Sequence, residues 1–415
     1  MRSINPAAII EKAESESSAS IAQLMSQAVT PAKYARNIKY ALESWPPELH
    51  NLSYPSQTVT MTQDEILLMT ELWAEVKLPF ENYSNAKEAW EAADTIIGTA
   101  TYHTSDGTDF PLRDIPTFAN LERRVDESIK GFQKVCAEAA KDAGVLDAHI
   151  DPFFRLGTAS PKDSPFAAVN NGRVSSGAQT MIMLLTSERG LAQIANDEFM
   201  QKALTTANNP NDLENATRDP ERLAEARAIP PHLTHLWFRI FDPFERHAEF
   251  RCFMKDRQFL GASQYHQIIS DPQGRYFRAD PFPELVEHGA EYEKLIIDWF
   301  PKFAEASGMQ DAVFDVVVDR KRGTTTLLEI NPFDRTTFPG LMDWNNPSTF
   351  DGEVKWVGER IEHIAPRVTP EQIERIKAIV STTPPPTPYE TLIPKPKVES
   401  IISKTIGRIF GGGGR

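Results

Sequence analysis

Cysteine is scarce, with Cys136 and Cys252 the two in 415 residues, and this excludes a multi-bridge disulfide framework. Both stand in apolar surroundings and read as buried free thiols. The nine histidines show no HxH or HxxxH spacing, so no zinc-ligand pattern is present. Long hydrophobic runs are missing as well: no stretch approaches the roughly 20 apolar residues that span a bilayer. The opening Met1-Arg2-Ser3-Ile4-Asn5-Pro6 lacks the apolar block of a secretory signal, which makes the cytosol the expected compartment. Basic residues are outnumbered, 44 Lys and Arg against 58 Asp and Glu, for a net charge of −14. A broad non-specific nucleic-acid surface is therefore not expected.

What is there is ordinary globular material, 40% hydrophobic and 25% charged, in a chain long enough for two or three structural units. Residues 1–115 read as a helical N-terminal unit. Ala7–Ala13 and Ile21–Met25 are rich in helix formers, Thr30-Pro31 suits a helix start, and Thr62 with Glu65 spells a capping box. Asn85–Ala93 is a further helix, and Trp45, Trp73 and Trp90 read as core. A long helix is expected from Thr117 to Ala143, before Gly144. Strand-like runs follow at Leu236–Phe241, Glu249–Met254, Phe259–Ser263, Ala312–Asp319 and Thr324–Asn331, with a helix near Ala290–Glu305 between them. This irregular mixture points to an α+β fold, with a core over 116–365. A polar insertion is expected over 196–230, and a Pro-rich linker with a basic tail over 366–415.

The most pointed chemistry lies in Val313-Phe314-Asp315-Val316-Val317-Val318-Asp319 and Thr326-Leu327-Leu328-Glu329-Ile330-Asn331-Pro332. A five-residue loop from Arg320 to Thr324 makes these an antiparallel hairpin. Pairing Asp319 with Thr325 then sets Asp315 opposite Glu329, with Cβ atoms roughly 5 Å apart. Asn331 shares the face of Glu329, and Phe314, Val316, Leu328 and Ile330 turn to the core. Facing carboxylates repel unless a cation or a proton intervenes. An oxygen-only set suits Mg²⁺ together with substrate phosphates. A register shifted by one residue would leave the same carboxylates solvated on an open sheet face.

Cations for a polyphosphate come from Phe153–Ser164, which carries Arg155 and Lys162. In Glu249-Phe250-Arg251-Cys252-Phe253, alternation sets Glu249 and Arg251 on one face and Phe250 and Cys252 on the other, as any half-exposed strand also would. Arg239, inside an apolar run, suggests a partner in a cleft or an ion pair with Glu249.

Together FFRLGTASPKD, LWFRIF, AEFRCF with LGASQ, VFDVVVD and LLEINPF resemble, in order and over residues 150–345, the cell division cycle protein 123 family, a branch of the ATP-grasp superfamily. The resemblance implies an ATP-grasp-like two-lobe core binding ATP and Mg²⁺. Asp315, Glu329 and Asn331 would be the metal ligands, and Arg155, Lys162, Asp163 and Arg251 would stand near the phosphates. Trp237, Phe238 and Arg239 would form the hinge beside adenine. Two departures stand out: Arg155 replaces a usual lysine, and Tyr265-His266-Gln267 replaces an Arg-Asp-Tyr type sequence. In eukaryotes the family assembles translation initiation factor 2 through its gamma GTPase subunit, which implies a protein client. The alternatives are an ATP-dependent ligase working through an acyl phosphate and a nucleotidyl- or phosphoryl-transfer enzyme. The sequence contains no Lys-x-Asp-Gly motif, which weighs against lysine-AMP chemistry.

Overall fold

The computed structural model describes residues 38–103, 108–142, 151–195, 197, 234–266, 268–270, 276–278, 281–335 and 337–358. The sequence expectations for 1–37, for the insertion near 196–230 (Asp197 excepted) and for the Pro-rich segment and basic tail lie outside these residues. The chain is mixed helix and sheet and divides into two units, one holding 56–241 and the other 39–55 with 242–358 among the described residues. The expected boundary at 115 does not coincide with this division, and that at 365 lies outside the described residues. Strands within the supposed helical segment explain the discrepancy: β1 (Ser56–Thr60), β2 (Val76–Lys77), β3 (Thr101–His103) and β4 (Asp109–Pro111).

In the first unit the capping box forms. Thr62 Oγ1 accepts from the Glu65 backbone N–H at 3.3 Å, and Glu65 Oε2 accepts from the Thr62 N–H at 2.8 Å, opening the helix Gln63–Glu75. Glu65 is nearly fully buried and takes Arg124 Nη1 at 2.8 Å, which ties that helix to the long helix Pro116–Asp142. β1 pairs antiparallel with β6 (His235–Arg239), and β6 pairs antiparallel with β5 (Phe153–Leu156). Leu156, Phe154, Leu236 and Phe238 face a core shared with Phe118, Trp90, Phe166 and the buried helix Gly177–Leu185.

The second unit is built on a five-stranded sheet in the order β12-β11-β7-β8-β13. These strands are β7 (Glu249–Lys255), β8 (Gln258–Gln264), β11 (Ala312–Asp319), β12 (Thr324–Asn331) and β13 (Val354–Lys355). β9 (Ile268–Ser270) and β10 (Tyr276–Arg278) form a separate pair. One sheet face takes the helix Pro283–Ser307, where Phe303 stacks on Phe314 at 3.9 Å and Tyr292 meets Phe250. At one end of the other face Phe253 and Val313 pack under Met342, Trp344 and Phe350. Gly289 gives close room to Trp356, whose indole would stand 2.3 Å from an added Cβ. The segment 39–55 returns to this unit through Leu52 and Ser53, whose backbone and hydroxyl bond to Leu327.

Candidate cation site on the second sheet

Asp315 is paired with Glu329, as the sequence predicts, but by another route. Asp319 pairs with Thr324 instead of Thr325, so the loop is Arg320–Gly323, with Gly323 at φ 65°. A bulge between Asp315 and Val316 then absorbs one residue of β12. Leu327 pairs with Val316 and is fully buried, whereas Leu328, expected in the core, is the half-buried extra residue.

On the bulge-adjusted sheet Asp315, Glu329 and Asn331 share a face. Asn331 Nδ2 donates to Glu329 Oε1 at 3.3 Å. The neighbour on the other side is Arg251 of β7, in register with Asp315. Its Nε donates to Asp315 Oδ1 at 2.8 Å and its Nη2 to Oδ2 at 2.7 Å, a two-pronged pair that matches the flat guanidinium to the carboxylate. Nη2 also lies 3.8 Å from Glu329 Oε1. Nη1 donates to the Phe338 carbonyl at 2.9 Å, and the guanidinium sits 4.9 Å from the Tyr265 ring centre.

β7 is a buried strand and not the half-exposed one that alternation allowed. Glu249 and Arg251 are buried along with Phe250 and Cys252, because both sheet faces are covered. Glu249 Oε2 lies 2.8 Å from His266 Nε2, within hydrogen-bond distance. The Cys252 thiol is free and its pKa is pushed well up by burial. Burial also pushes the Asp315 carboxyl up to about 7, against the pull of Arg251 and with Glu329 adding to the rise. On Arg251 burial opposes the charge, but the Asp315 carboxylate outweighs it and holds the guanidinium above its usual range.

For a divalent cation the donor chemistry fits: two carboxylates and an amide oxygen, all hard ligands. Among the described residues no group of three or more His, Cys, Asp and Glu is placed to hold a metal, so Asn331 is needed to complete the set. Access differs between the ligands. The Glu329 side chain is 24% exposed, whereas that of Asp315 is 1% exposed and has both oxygens on Arg251.

The other sequence candidates lie in the first unit. Arg155 and Trp237 are register partners on β5 and β6, and Arg239 lies two residues along β6 on the same face. All three are buried, and Arg155 Nε donates to the Leu156 carbonyl at 3.1 Å. Phe238 points the other way: its side chain is fully buried, stacks on Phe154 at 5.7 Å and belongs to the core. Asp163 accepts from Ser187 Oγ at 2.6 Å and from the Arg189 N–H at 2.9 Å, which makes it an anchor for the turn at 187–189. Lys162 is exposed on the same loop. Phe338 and Tyr265, which hold Arg251, were not singled out in the sequence as site residues. A backbone carbonyl in a Pro-rich loop carries no residue-type signal.

A family model described as D123 matches residues 45–374. Curated relatives named "Translation initiation factor eIF2 assembly protein" are similar to the chain. That of Vanderwaltozyma polyspora is 23% identical over 69% of this chain and 68% of its own length. That of Botryotinia fuckeliana is 26% identical over 58% of this chain and 49% of its own. That of Aspergillus fumigatus is 23% identical over 56% and 49%. The chain thus spans about half the length of the last two. Among solved structures, Cdc123 from Schizosaccharomyces pombe aligns with 80% of this chain and 99% of its own at 16% identity, with a TM-score of 0.46. Its C-terminally truncated form aligns over the same shares at 18% identity and 0.44.

Proposed function

Because the chain belongs to the D123 family, the cell division cycle protein 123 family its motifs resemble, we propose that it is an assembly factor for translation initiation factor eIF2 that works with Mg-ATP bound. The assembly role is carried over from the names of its relatives. The observation that supports the cation is the face shared by Asp315, Glu329 and Asn331. Glu329 and Asn331 would hold Mg²⁺, with Asp315 behind them under the control of Arg251. The ion would supply charge neutralisation for a polyphosphate, and an ATP-grasp-like core is the fold this reading carries. The family carry-over assigns Arg155, Lys162, Trp237 and Arg239 of the first unit to the nucleotide. The client is the GTPase subunit of the factor, and a cytoplasmic setting goes with that role. No described helix is long and apolar enough to cross a membrane.

Two titrations test the proposal. Calorimetry of the whole chain should show Mg-ATP binding that Glu329→Gln weakens at least about tenfold, the loss of one charged metal contact. Titration of the chain with the separate eIF2 subunits should show one of them bound, and more tightly with Mg-ATP. Absence of nucleotide binding by the unaltered chain removes the ATP reading, and absence of any subunit binding removes the assembly role.

A further inference from the structure

Arg251 is held on three sides inside one unit. Asp315 takes Nε and Nη2, Phe338 takes Nη1 through its carbonyl, and Tyr265 lies against the guanidinium. Its Nη2 is 3.8 Å from Glu329 Oε1. It therefore stands where an ion shared by Asp315 and Glu329 would stand, and it neutralises the same carboxylates. It also reaches into the loop after β12. That loop is pinned below by Thr337 Oγ1 donating to the Pro332 carbonyl at 2.7 Å, and above by the Leu341 N–H donating to Ser263 Oγ at 2.8 Å. Between these pins Phe338 is held at its carbonyl by Arg251, and its ring is 53% exposed.

From this geometry we propose that Arg251 is an exchangeable counter-ion: a divalent cation at Asp315 and Glu329 displaces it, and with it the hold on the loop at Phe338. The inference rests on the cation reading above. Two carboxylates and one guanidinium leave the cluster with one net negative charge. A divalent ion added beside an unmoved Arg251 would put two cations against each other in a largely water-excluded site, where like charges repel most strongly. Exchange removes that repulsion and frees the carboxylate oxygens for the metal. Arg251 would thereby transmit the state of the cation site to the exposed Phe338, acting as a positioning residue.

The test uses Mn²⁺ alone as the probe, on the full chain without nucleotide. Arg251→Met removes the competitor, so Mn²⁺ should bind about tenfold or more tighter than to the unaltered chain. Arg251→Lys, which keeps the charge, should stay within about threefold of it. A residue that merely supported the fold would give the opposite result in Arg251→Met, weaker binding. Because Arg251→Met leaves Asp315 buried without its partner, a second measurement uses the unaltered chain. Backbone hydrogen exchange over 337–341 should quicken when Mn²⁺ is added. Equal or weaker Mn²⁺ binding by Arg251→Met, or exchange over 337–341 that is unchanged or slowed, overturns the exchange. If the unaltered chain and Arg251→Met both fail to bind Mn²⁺ with or without ATP, the cation reading itself falls and takes the exchange with it.

Discussion

The two sheets carry their charged residues differently. In the three-stranded sheet of the first unit, one face presents Arg155, Trp237 and Arg239, and none of its three strands contains an acid. In the five-stranded sheet of the second unit, the charged face sets Arg251 against Asp315 and Glu329. In the first arrangement no strand of the sheet supplies an acid to its two arginines. In the second, one guanidinium stands against two carboxylates, and under the proposed exchange a cation binds there when the guanidinium yields. The lesson is that a buried charge on a strand is not one kind of evidence. Its meaning depends on what the neighbouring strand brings into register, and β7 and β11 bring opposite charges together whereas β5 and β6 do not.

The largest expected effect breaks the charge pairing of the second sheet. Asp315→Ala leaves the buried Arg251 without its carboxylate, and chemical denaturation should show a loss of about 3–5 kcal/mol. Replacing both partners, Arg251→Met with Asp315→Leu, should recover most of that loss, because the desolvated charges leave together. A double variant no more stable than Asp315→Ala would mean the pair matters for reasons other than its charge. On the first sheet Phe238→Ala should be nearly as damaging, about 3–5 kcal/mol, because it opens a cavity in the shared core. Nucleotide affinity lost with no change in stability would instead give the Phe238 side chain a role at the nucleotide.

The next effect is a pH slope. Burial lifts the Asp315 carboxyl to about 7 in the folded chain, against about 3.9 unfolded. The folded state therefore binds this proton more tightly. Its stabilising contribution is full below about pH 4 and is lost as pH rises through about 7, with a slope of at most about 1.4 kcal/mol per pH unit. Asp315→Asn should flatten stability against pH in that window, measured by denaturation at a series of pH values. A slope that survives the substitution would assign it to other groups.

How much of this could be read beforehand varies with the range of the interaction. The strands around Asp315 and Glu329 are legible because β-branched and apolar residues alternate over short stretches, and the hairpin closes within a few residues. Even there the pairing came out right through two compensating features, a shorter loop and a bulge at Leu328, neither of which side-chain type reveals. The Thr62–Glu65 cap is purely local and formed as expected. Arg251 could be placed on a face but not beside Asp315, since the two are 64 residues apart and nothing in either segment names the other. The division into units was illegible for the same reason: Ser53 bonds to Leu327 across 274 residues. The core-facing side of Phe238 was not legible either, because LWFRIF does not say which face meets the core.

The smallest expected change in stability is also the sharpest probe of the first sheet's surroundings. Lys162 is exposed on the loop whose Asp163 is already committed to Ser187 and Arg189. Removing an exposed lysine of this kind should alter folding stability by no more than about 0.5 kcal/mol. If the lysine reaches phosphate as a point charge, Lys162→Ala should weaken Mg-ATP binding about tenfold, or about 1.4 kcal/mol. Asp163→Ala should behave in the opposite sense, loosening the 187–189 turn and lowering stability by about 1 kcal/mol as a lost cap does. Calorimetric titration and denaturation of the two variants side by side decide between them. Equal affinities for Lys162→Ala and the unaltered chain would leave the positive face of the first sheet without its loop cation, and the contrast with the second sheet would rest on Arg155 and Arg239.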